Sequence, residues 1–237
     1  MLEILYKDEF LVAINKPSGL LVHRSPIDRH ETRFAVQILR EQIGRFVYPV
    51  HRLDKPTSGV LLFALDKESA KIMGEQFSLR ESKKSYIAVV RGYTDESGVI
   101  EHALSVKLDK IADKDSTCKE AQDASTKYER LETIELPFSV GKYDVTRYSL
   151  VKLKPLTGRK HQLRRHMKHI SHHILGDTKY GRGEHNKFIR EKFGCHRMLL
   201  HASKLQIKHP YSDEILTIKA PLDDTFTSIC KFFNWHI

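Results

Sequence analysis

The sequence contains little cysteine. Its 237 residues include three cysteines, Cys118, Cys195 and Cys230, which are odd in number and widely spaced. This pattern provides neither a disulfide framework nor the Cys-x-x-Cys spacing of a redox or zinc site. It excludes the small disulfide-stabilised secreted proteins and is typical of a chain that works in a reducing cytoplasm.

Long apolar runs and nucleotide-binding loops are also missing. No run of about 18 apolar residues is present, as a membrane-spanning helix would require. The first eight residues lack the basic and apolar regions of a signal peptide, so we interpret them as the beginning of a folded domain. Neither a phosphate-binding loop nor a dinucleotide fingerprint occurs. We therefore expect no membrane association.

Five histidines lie close together in the sequence, and they raise the question of a metal site. No cysteine is found among them and no His-Glu-x-x-His arrangement occurs, so we expect no bound metal. The five are His161, His166, His169, His172 and His173.

Positive charge is in excess. Lysine and arginine total 40 against 30 for aspartate and glutamate, which gives a formal net charge of +10. Such a balance favours a polyanionic partner, and nucleic acid is the first candidate because no basic amphipathic helix indicates a membrane surface. The alternative that charge leaves open is a basic protein without a polyanionic ligand.

The spacing of apolar residues predicts an α+β fold. Many strands with few helices between them favour a mixed, largely antiparallel sheet with flanking helices. Residues 108–125 are predicted to form an exposed loop, and 182–196 fits either an RNA-contacting flap or a surface helix. No change of composition divides the chain, so we expect residues 1–237 to form one domain. Strands are predicted at 2–6, 10–14, 59–65, 86–90, 127–136, 144–153, 197–208 and 215–219, and helices at 32–43, 67–79, 159–169 and 226–233.

Asp54 lies in the densest cluster of unusual residues. It follows His51-Arg52-Leu53 and precedes Lys55-Pro56-Thr57-Ser58-Gly59. A carboxylate in a turn directly before an apolar strand is held on a rigid scaffold and remains accessible. The alternative is that Asp54 only caps a turn between solvated charges.

A second cluster, at residues 156–169, is dense in basic groups. Leu163 and Met167 are four residues apart on the predicted helix and can face the core. Arg164 lies at the edge of that apolar face, where its guanidinium could reach a partly buried carboxylate. Paired in this way, Arg164 would keep Asp54 ionised and oriented. The alternative is a solvated basic face.

The third candidate is a tyrosine at the beginning of a predicted strand. Tyr86 shares one strand face with Ala88 and Val90. Its ring can stack on a base, and its hydroxyl can take part in proton transfer. A strand tyrosine seen alone is more often a core residue.

These segments, in this order, resemble the RluA-type pseudouridine synthases along nearly the whole chain. Residues 15–19 and 200–202 and the Gly176-Asp177-x-x-Tyr180 pattern also fit the family. Residues 108–114, 146–148 and Lys160 are similar to a subgroup that acts on transfer RNA. Three motifs carry the resemblance: His51-Arg52-Leu53-Asp54 with Thr57-Ser58-Gly59, Lys84-x-Tyr86-x-Ala88-x-Val90-x-Gly92, and Thr157-Gly158-Arg159-x-His161-Gln162-Leu163-Arg164.

The resemblance implies an activity and a fold. The activity is the isomerisation of a uridine in transfer RNA to pseudouridine, with uridine 65 of the T stem as the target and no cofactor. The fold is a bisected, mostly antiparallel sheet with the active-site cleft across its middle. We expect a monomer that needs no protein partner and no separate S4-type RNA-binding domain.

The resemblance also implies site residues. Asp54 is expected to be the catalytic carboxylate, Arg164 its ion-pair partner, and Tyr86 the residue that stacks on the uracil. Arg52 would fill the space that the base vacates, and Leu200 would line the pocket. The residues expected to bind substrate are Arg52, His51, Leu200, Arg159, Lys160 and His161.

Three other functions compete with this interpretation. The nearest is the same reaction on a ribosomal RNA uridine. A non-catalytic RNA-binding protein would use the basic helix alone and would not need Asp54 or Tyr86. A hydrolase such as an RNA glycosidase usually has a second carboxylate near the first, and the motif around Asp54 supplies none.

Overall fold

The computed structural model describes residues 1–24, 30–105, 120–212 and 214–236. These residues contain ten strands and five helices. The strands are β1 (Glu3–Lys7), β2 (Leu11–Lys16), β3 (Tyr48–Pro49), β4 (Ser58–Ala64), β5 (Lys83–Arg91), β6 (Ser97–Glu101), β7 (Ser125–Leu136), β8 (Thr146–Pro155), β9 (Leu200–Lys208) and β10 (Ile215–Lys219). The helices are α1 (Ala35–Ile43), α2 (Lys67–Ser78), α3 (Gln162–His169), α4 (Gly183–Phe193) and α5 (Asp224–Phe232).

One sheet connects the ten strands. Its order is β1-β2-β4-β9-β5-β8-β7-β6, with β10 paired to β9 and β3 paired to β4. All pairings are antiparallel except that of β4 with β9. That parallel pairing is limited to Ser58 with His201 and Gly59 with Ala202, so two halves of the sheet meet along a short seam. The predicted α+β fold with a mostly antiparallel, bisected sheet is confirmed.

Gly59 makes the seam possible. Its φ is +108°, and a Cβ on this residue would lie 2.3 Å from the carbonyl oxygen of Ala202. Only glycine tolerates both this backbone conformation and this approach of the neighbouring strand. The seam therefore fixes the distance between the chain that follows Asp54 and the beginning of β9.

Helices cover both faces of the sheet. All seven residues of β4 are buried, as expected for a strand packed on two sides. Leu61 lies in a cluster with Leu39 of α1, whereas Leu62 lies in a cluster with Met73 of α2. In the other half, α3 packs on one face of β5, and α4 and α5 pack on the opposite face. The site between the halves therefore rests on a two-sided core.

Local signals explain where several elements begin and end. Helix α1 ends at Gly44, which has the left-handed conformation, and α2 begins after Asp66, whose side chain accepts from the backbone N–H of Ser69. Helix α3 begins three residues later than predicted, because the Gln162 side chain accepts from the Arg159 backbone N–H and holds that stretch as a loop.

Two strands were not predicted: β3 has two residues, and β6 is a polar edge strand in which Ile100 is the one buried residue. Segment 182–196, for which a surface helix was one of two alternatives, contains α4, which buries only His185 and Ile189 and packs on the core through Ile189. Residues 106–119, which include most of the predicted loop and the 108–114 similarity, lie outside the described residues.

We also compared helix length and hydropathy with the requirements of a bilayer. Across the described parts of the chain, no helix is long and apolar enough to cross a membrane.

Candidate active site

Asp54 lies in the turn between β3 and β4, and a buried lysine supports that turn. Lys16, at the end of β2, donates from Nζ to the carbonyl oxygens of Pro17 at 2.9 Å, Leu20 at 2.8 Å and Lys55 at 3.2 Å. Burial lowers the pKa of Lys16 to about 7. The lysine thus ties the 15–19 segment to the residue directly after Asp54. Lys16 belongs to the 15–19 segment that fits the family, and no role was predicted for it.

Arg164 contacts Asp54 and is itself held by a second carboxylate. Its Nη1 donates to Asp54 Oδ2 at 3.1 Å, while Nε and Nη2 donate to the two oxygens of Asp177 at 2.7 and 2.8 Å. Arg164 is 5% exposed and Asp177 is 2% exposed. The bidentate pair fixes the guanidinium plane, so Nη1 is aimed at Asp54. The structure places Arg164 where the sequence predicted, whereas its anchor was not predicted.

The charges of this network stabilise each other. Burial alone would raise the pKa of Asp177, but the hydrogen bonds and charge of Arg164, together with the backbone N–H groups of Tyr180 and Lys179, lower it overall. Burial likewise opposes the charge of Arg164, and Asp177 and Asp54 raise its pKa overall. Both groups are therefore ionised at neutral pH.

His161 lies near the second oxygen of the Asp54 carboxylate, and Tyr180 contacts His161. His161 Nε2 lies 3.9 Å from Asp54 Oδ1, and its Nδ1 lies 3.0 Å from the Tyr180 hydroxyl oxygen. The guanidinium of Arg164 lies 5.1 Å from the centre of the Tyr180 ring. Burial lowers the pKa of His161 to about 4 despite the nearby carboxylate, so the imidazole is neutral at pH 7. Its φ of +56°, unusual for histidine, is a strain typical of functional sites.

Tyr86 lies between the two halves of the sheet. The pairing of β5 with β9 is irregular between Ser85 and Ile87, because β9 has an extra residue there and places Ala202 and Ser203 opposite Tyr86. Tyr86 packs against the clusters of both halves and is half-buried. Burial and then the charge of Asp54 raise its pKa, so the phenol is protonated at neutral pH.

A cleft of about 470 Å³ opens between the halves, and all nine predicted site residues line it. Asp54 lies within it with 18% of its side chain exposed. Arg52 and Lys160 are exposed at the rim, and Arg159 is half-buried. The nine are His51, Arg52, Asp54, Tyr86, Arg159, Lys160, His161, Arg164 and Leu200.

His51 has a structural contact that limits what it can bind. Its Nε2 accepts from the backbone N–H of Leu62 at 3.1 Å, and its ring lies 4.9 Å from the ring of Phe77. Burial, and then the positive charge of Lys84, lower its pKa to about 3, so the ring is neutral. A contact of His51 with substrate would therefore use the ring surface and not Nε2.

The sequence contained a signal for the missed residues. Asp177 and Tyr180 belong to the Gly176-Asp177-x-x-Tyr180 pattern, which was noted without a role. Their roles depend on Arg164 and His161, and only the folded chain brings these groups together. Among the residues that the structure describes, no group of three or more His, Cys, Asp or Glu side chains could hold a metal ion.

Known proteins resemble this chain in sequence. The family described as RNA pseudouridylate synthase matches residues 10–169. The chain is 54% identical over 235 residues to a Vibrio parahaemolyticus protein named tRNA pseudouridine synthase C, covering 99% of this chain and 96% of that protein. A Haemophilus ducreyi protein of the same name is 56% identical over 235 residues, with 99% and 97% covered.

Solved structures resemble it as well. Human RNA Pseudouridylate Synthase Domain Containing 4 superimposes with a TM-score of 0.72 at 27% identity, covering 99% of this chain and 94% of the human one. Human RNA Pseudouridylate Synthase Domain Containing 1 gives a TM-score of 0.71 at 28% identity, with 94% and 84% covered.

Proposed function

The chain belongs to the RNA pseudouridylate synthase family, and from this premise we propose that it isomerises a uridine of transfer RNA to pseudouridine. The names of the two bacterial relatives support transfer RNA as the substrate. Similarity to the subgroup that acts on the T stem supports uridine 65 as the target. The observation that carries the proposal is the Asp54 carboxylate in a cleft, contacted by the anchored guanidinium of Arg164.

The reaction breaks the bond between N1 of uracil and C1′ of the ribose. The base turns, C5 bonds to C1′, C5 loses its proton, and N1 gains one. We assign Asp54 as the carboxylate that either attacks covalently or removes a sugar proton. Its Oδ2 accepts from Arg164, and His161 Nε2 lies 3.9 Å from Oδ1. We assign Oδ1 to the contact with substrate.

Arg164 acts through its fixed position. Because Asp177 holds two of its nitrogen atoms, the third is directed at Asp54 before substrate arrives. A pre-oriented cation needs no rearrangement during the reaction and holds the carboxylate in a fixed orientation. Neutral His161, on the other oxygen, adds no second positive charge that would weaken the nucleophile.

Tyr86 is assigned to the uracil ring. It lies in the cleft at the seam, where its ring can stack on the extruded base. Its raised pKa keeps the phenol neutral, which supports stacking and hydrogen-bond donation. A neutral phenol also favours a water-mediated route to the C5 proton over direct abstraction by the tyrosine. Leu200, buried in the cleft wall, would complete the apolar part of the pocket.

The remaining predicted residues are assigned to RNA binding. A uridine in a stem must leave the helix, at a cost of roughly a few kcal/mol. Arg52 is exposed two residues before Asp54, where it can occupy the vacated space. Arg159 and Lys160, on the opposite wall, would bind phosphates and make binding sensitive to salt.

We also propose that the protein works as a cytoplasmic monomer, with one catalytic domain and no protein partner. Cys195 and Cys230 are free and buried, which suits a reducing compartment.

The test is the Asp54→Asn variant, which keeps the size of the side chain and removes its charge. Pseudouridine formation at uridine 65 should disappear, while binding to transfer RNA should change by less than about threefold. Pseudouridine-specific chemical mapping of transfer and ribosomal RNA, before and after deletion of the gene, identifies the substrate. If deletion of the gene removes a pseudouridine from ribosomal RNA and none from transfer RNA, the substrate is ribosomal RNA.

The matched control is Asp144→Asn. Asp144 is exposed and does not line the Asp54 cleft, so this variant should keep full activity. Continued turnover by Asp54→Asn would remove the catalytic assignment. A wild-type protein that binds transfer RNA without converting it would indicate a binding protein.

A further inference from the structure

Lys84 places an ammonium group on the wall of the cleft that lies beside α2. It is the second residue of β5, two residues before Tyr86, and both side chains line the cleft. Its Nζ lies 4.7 Å from the centre of the Phe77 ring. Within the described residues, the structure shows no hydrogen bond and no carboxylate within 4.0 Å for this ammonium.

Among the residues that the structure describes, none supplies a counterion to Lys84. Its charge acts on His51, whose neutral ring lies 4.9 Å from the ring of Phe77 and offers no negative charge. Asp54 lies in the same cleft, but its carboxylate is bound by Arg164. Burial lowers the pKa of Lys84, and no acidic neighbour offsets that effect. A half-buried cation of this kind is stabilised most by an anion from outside the protein.

The position of Lys84 relative to Tyr86 suits a nucleotide strand. Residues of a strand rise about 3.3 Å each, so the two side chains leave β5 about 6.6 Å apart on the same face. Tyr86 is the residue proposed to stack on uracil. Lys84 lines the same cleft two residues away along β5, a separation that suits the distance from a base to the sugar-phosphate backbone of the same nucleotide.

We propose that Lys84 binds a backbone phosphate next to the extruded uridine and holds the strand against the end of α2. This inference rests on the proposed function, because it needs an RNA strand in the Asp54 cleft. The phosphodiester is the anionic part of RNA, whereas uracil is neutral and has Tyr86 and Asp54 beside it. Contact with Phe77 fixes the ammonium in place, so the phosphate meets a preformed site.

The experiment compares two adjacent lysines in the Asp54→Asn background, where substrate is bound but not converted. Lys84→Met keeps the aliphatic stem on Phe77 and removes the charge. Lys83→Met is the matched control, because Lys83 is exposed and its side chain points to the opposite face of β5. Affinity for the unmodified transfer RNA is measured between 0.05 and 0.5 M salt, on the order of the range where counterion release dominates.

One phosphate contact contributes about 0.9 to the slope of log affinity against log salt. Lys84→Met should reduce the slope by that amount, which corresponds to about fivefold weaker binding at 0.15 M salt and little difference near 1 M. Lys83→Met should change the slope by much less, and Lys84→Arg, which keeps the charge, should retain it. An unchanged slope in Lys84→Met, or equal reductions in both Met variants, would overturn the inference.

A second measurement changes the RNA and accepts either of two Lys84 variants, so it does not depend on the folding of Lys84→Met alone. A series of transfer RNA fragments is prepared, each with a single neutral methylphosphonate linkage at a different position around the target. The affinity of each fragment is measured for the protein with Lys84 and for Lys84→Met. If Lys84→Met is unfolded, Lys84→Gln replaces it. At one position, the neutral linkage should lower the affinity of the protein with Lys84, and at that position it should not lower the affinity of the Lys84 variant. Additive losses at every linkage would place the phosphate elsewhere. The two proposals can fail separately. If Asp54→Asn is inactive but the losses from each linkage and from the Lys84 variant are additive, the proposed function stands and only the Lys84 phosphate site is wrong.

Discussion

The ion pair that anchors Arg164 allows a prediction for both stability and catalysis. Asp177→Asn keeps the shape of the side chain but removes the charge that binds Nε and Nη2 of Arg164. It also replaces one acceptor oxygen by an amide NH₂ group, which would face a donor. The guanidinium then remains buried, with Asp54 as its only carboxylate partner among the described residues.

The magnitude follows from the burial of the pair. Removing one partner of a buried ion pair costs about 3–5 kcal/mol of unfolding free energy. For a chain of this size, about 1 kcal/mol shifts Tm by roughly 2–4 °C, so the expected loss is about 6–20 °C. Activity should fall by at least about tenfold, because a misplaced guanidinium no longer orients Asp54.

The stability effect should depend on pH in a defined direction. The pKa of Asp177 is lower in the folded chain than in the unfolded one, where it is about 3.9. Its contribution is therefore fully present above about pH 4 and is lost as the pH falls below that value toward the folded pKa. The difference in Tm between wild type and Asp177→Asn should be constant from pH 5 to 7 and should shrink below about pH 4.

The assay is thermal unfolding followed by circular dichroism, together with initial rates on transfer RNA. The control is Glu135→Gln, which removes an ion pair with Arg147 whose side chains are 45% and 53% exposed. That exposed pair should contribute no more than about 1 kcal/mol. The anchoring role of Asp177 is wrong if Asp177→Asn has the same Tm as the wild type at pH 7. It is also wrong if Glu135→Gln lowers the Tm by as much as Asp177→Asn does.

Two further predictions concern the rim and the seam of the cleft. Arg52→Ala should reduce activity on folded transfer RNA more than on a single-stranded fragment, since only the folded stem has a space to fill; equal losses in initial-rate assays would remove Arg52 from base extrusion. Gly59→Ala should destabilise the protein by at least about 1–3 kcal/mol, because its Cβ would lie 2.3 Å from the Ala202 oxygen. Gly74→Ala, in α2 with no atom within 4 Å of a new Cβ, should raise Tm slightly, and the opposite order of the two glycine variants would contradict the seam.

Much of the fold follows from local patterns in the sequence. The apolar run of β4, the stop of α1 at Gly44 and the cap of α2 at Asp66 depend on residues a few positions apart. Elements with weak patterns were missed, as β6 was, or left open, as α4 was, for the same reason. The polar edge strand β6 and the mostly polar α4 take their structure from pairing with β7 and packing on the core.

The candidate site divides in the same way. The sequence by itself determined which residues are candidates, since Asp54, Tyr86 and Arg164 lie in motifs with unusual composition. Only the tertiary structure decided how they are held. Arg164 is separated by 110 residues from Asp54, and the motifs that contain Asp177 and Lys84 do not indicate which groups these side chains contact. Hydrogen bonds and ion pairs between distant segments depend on how the sheet closes at its seam, and no spacing along the chain encodes that geometry.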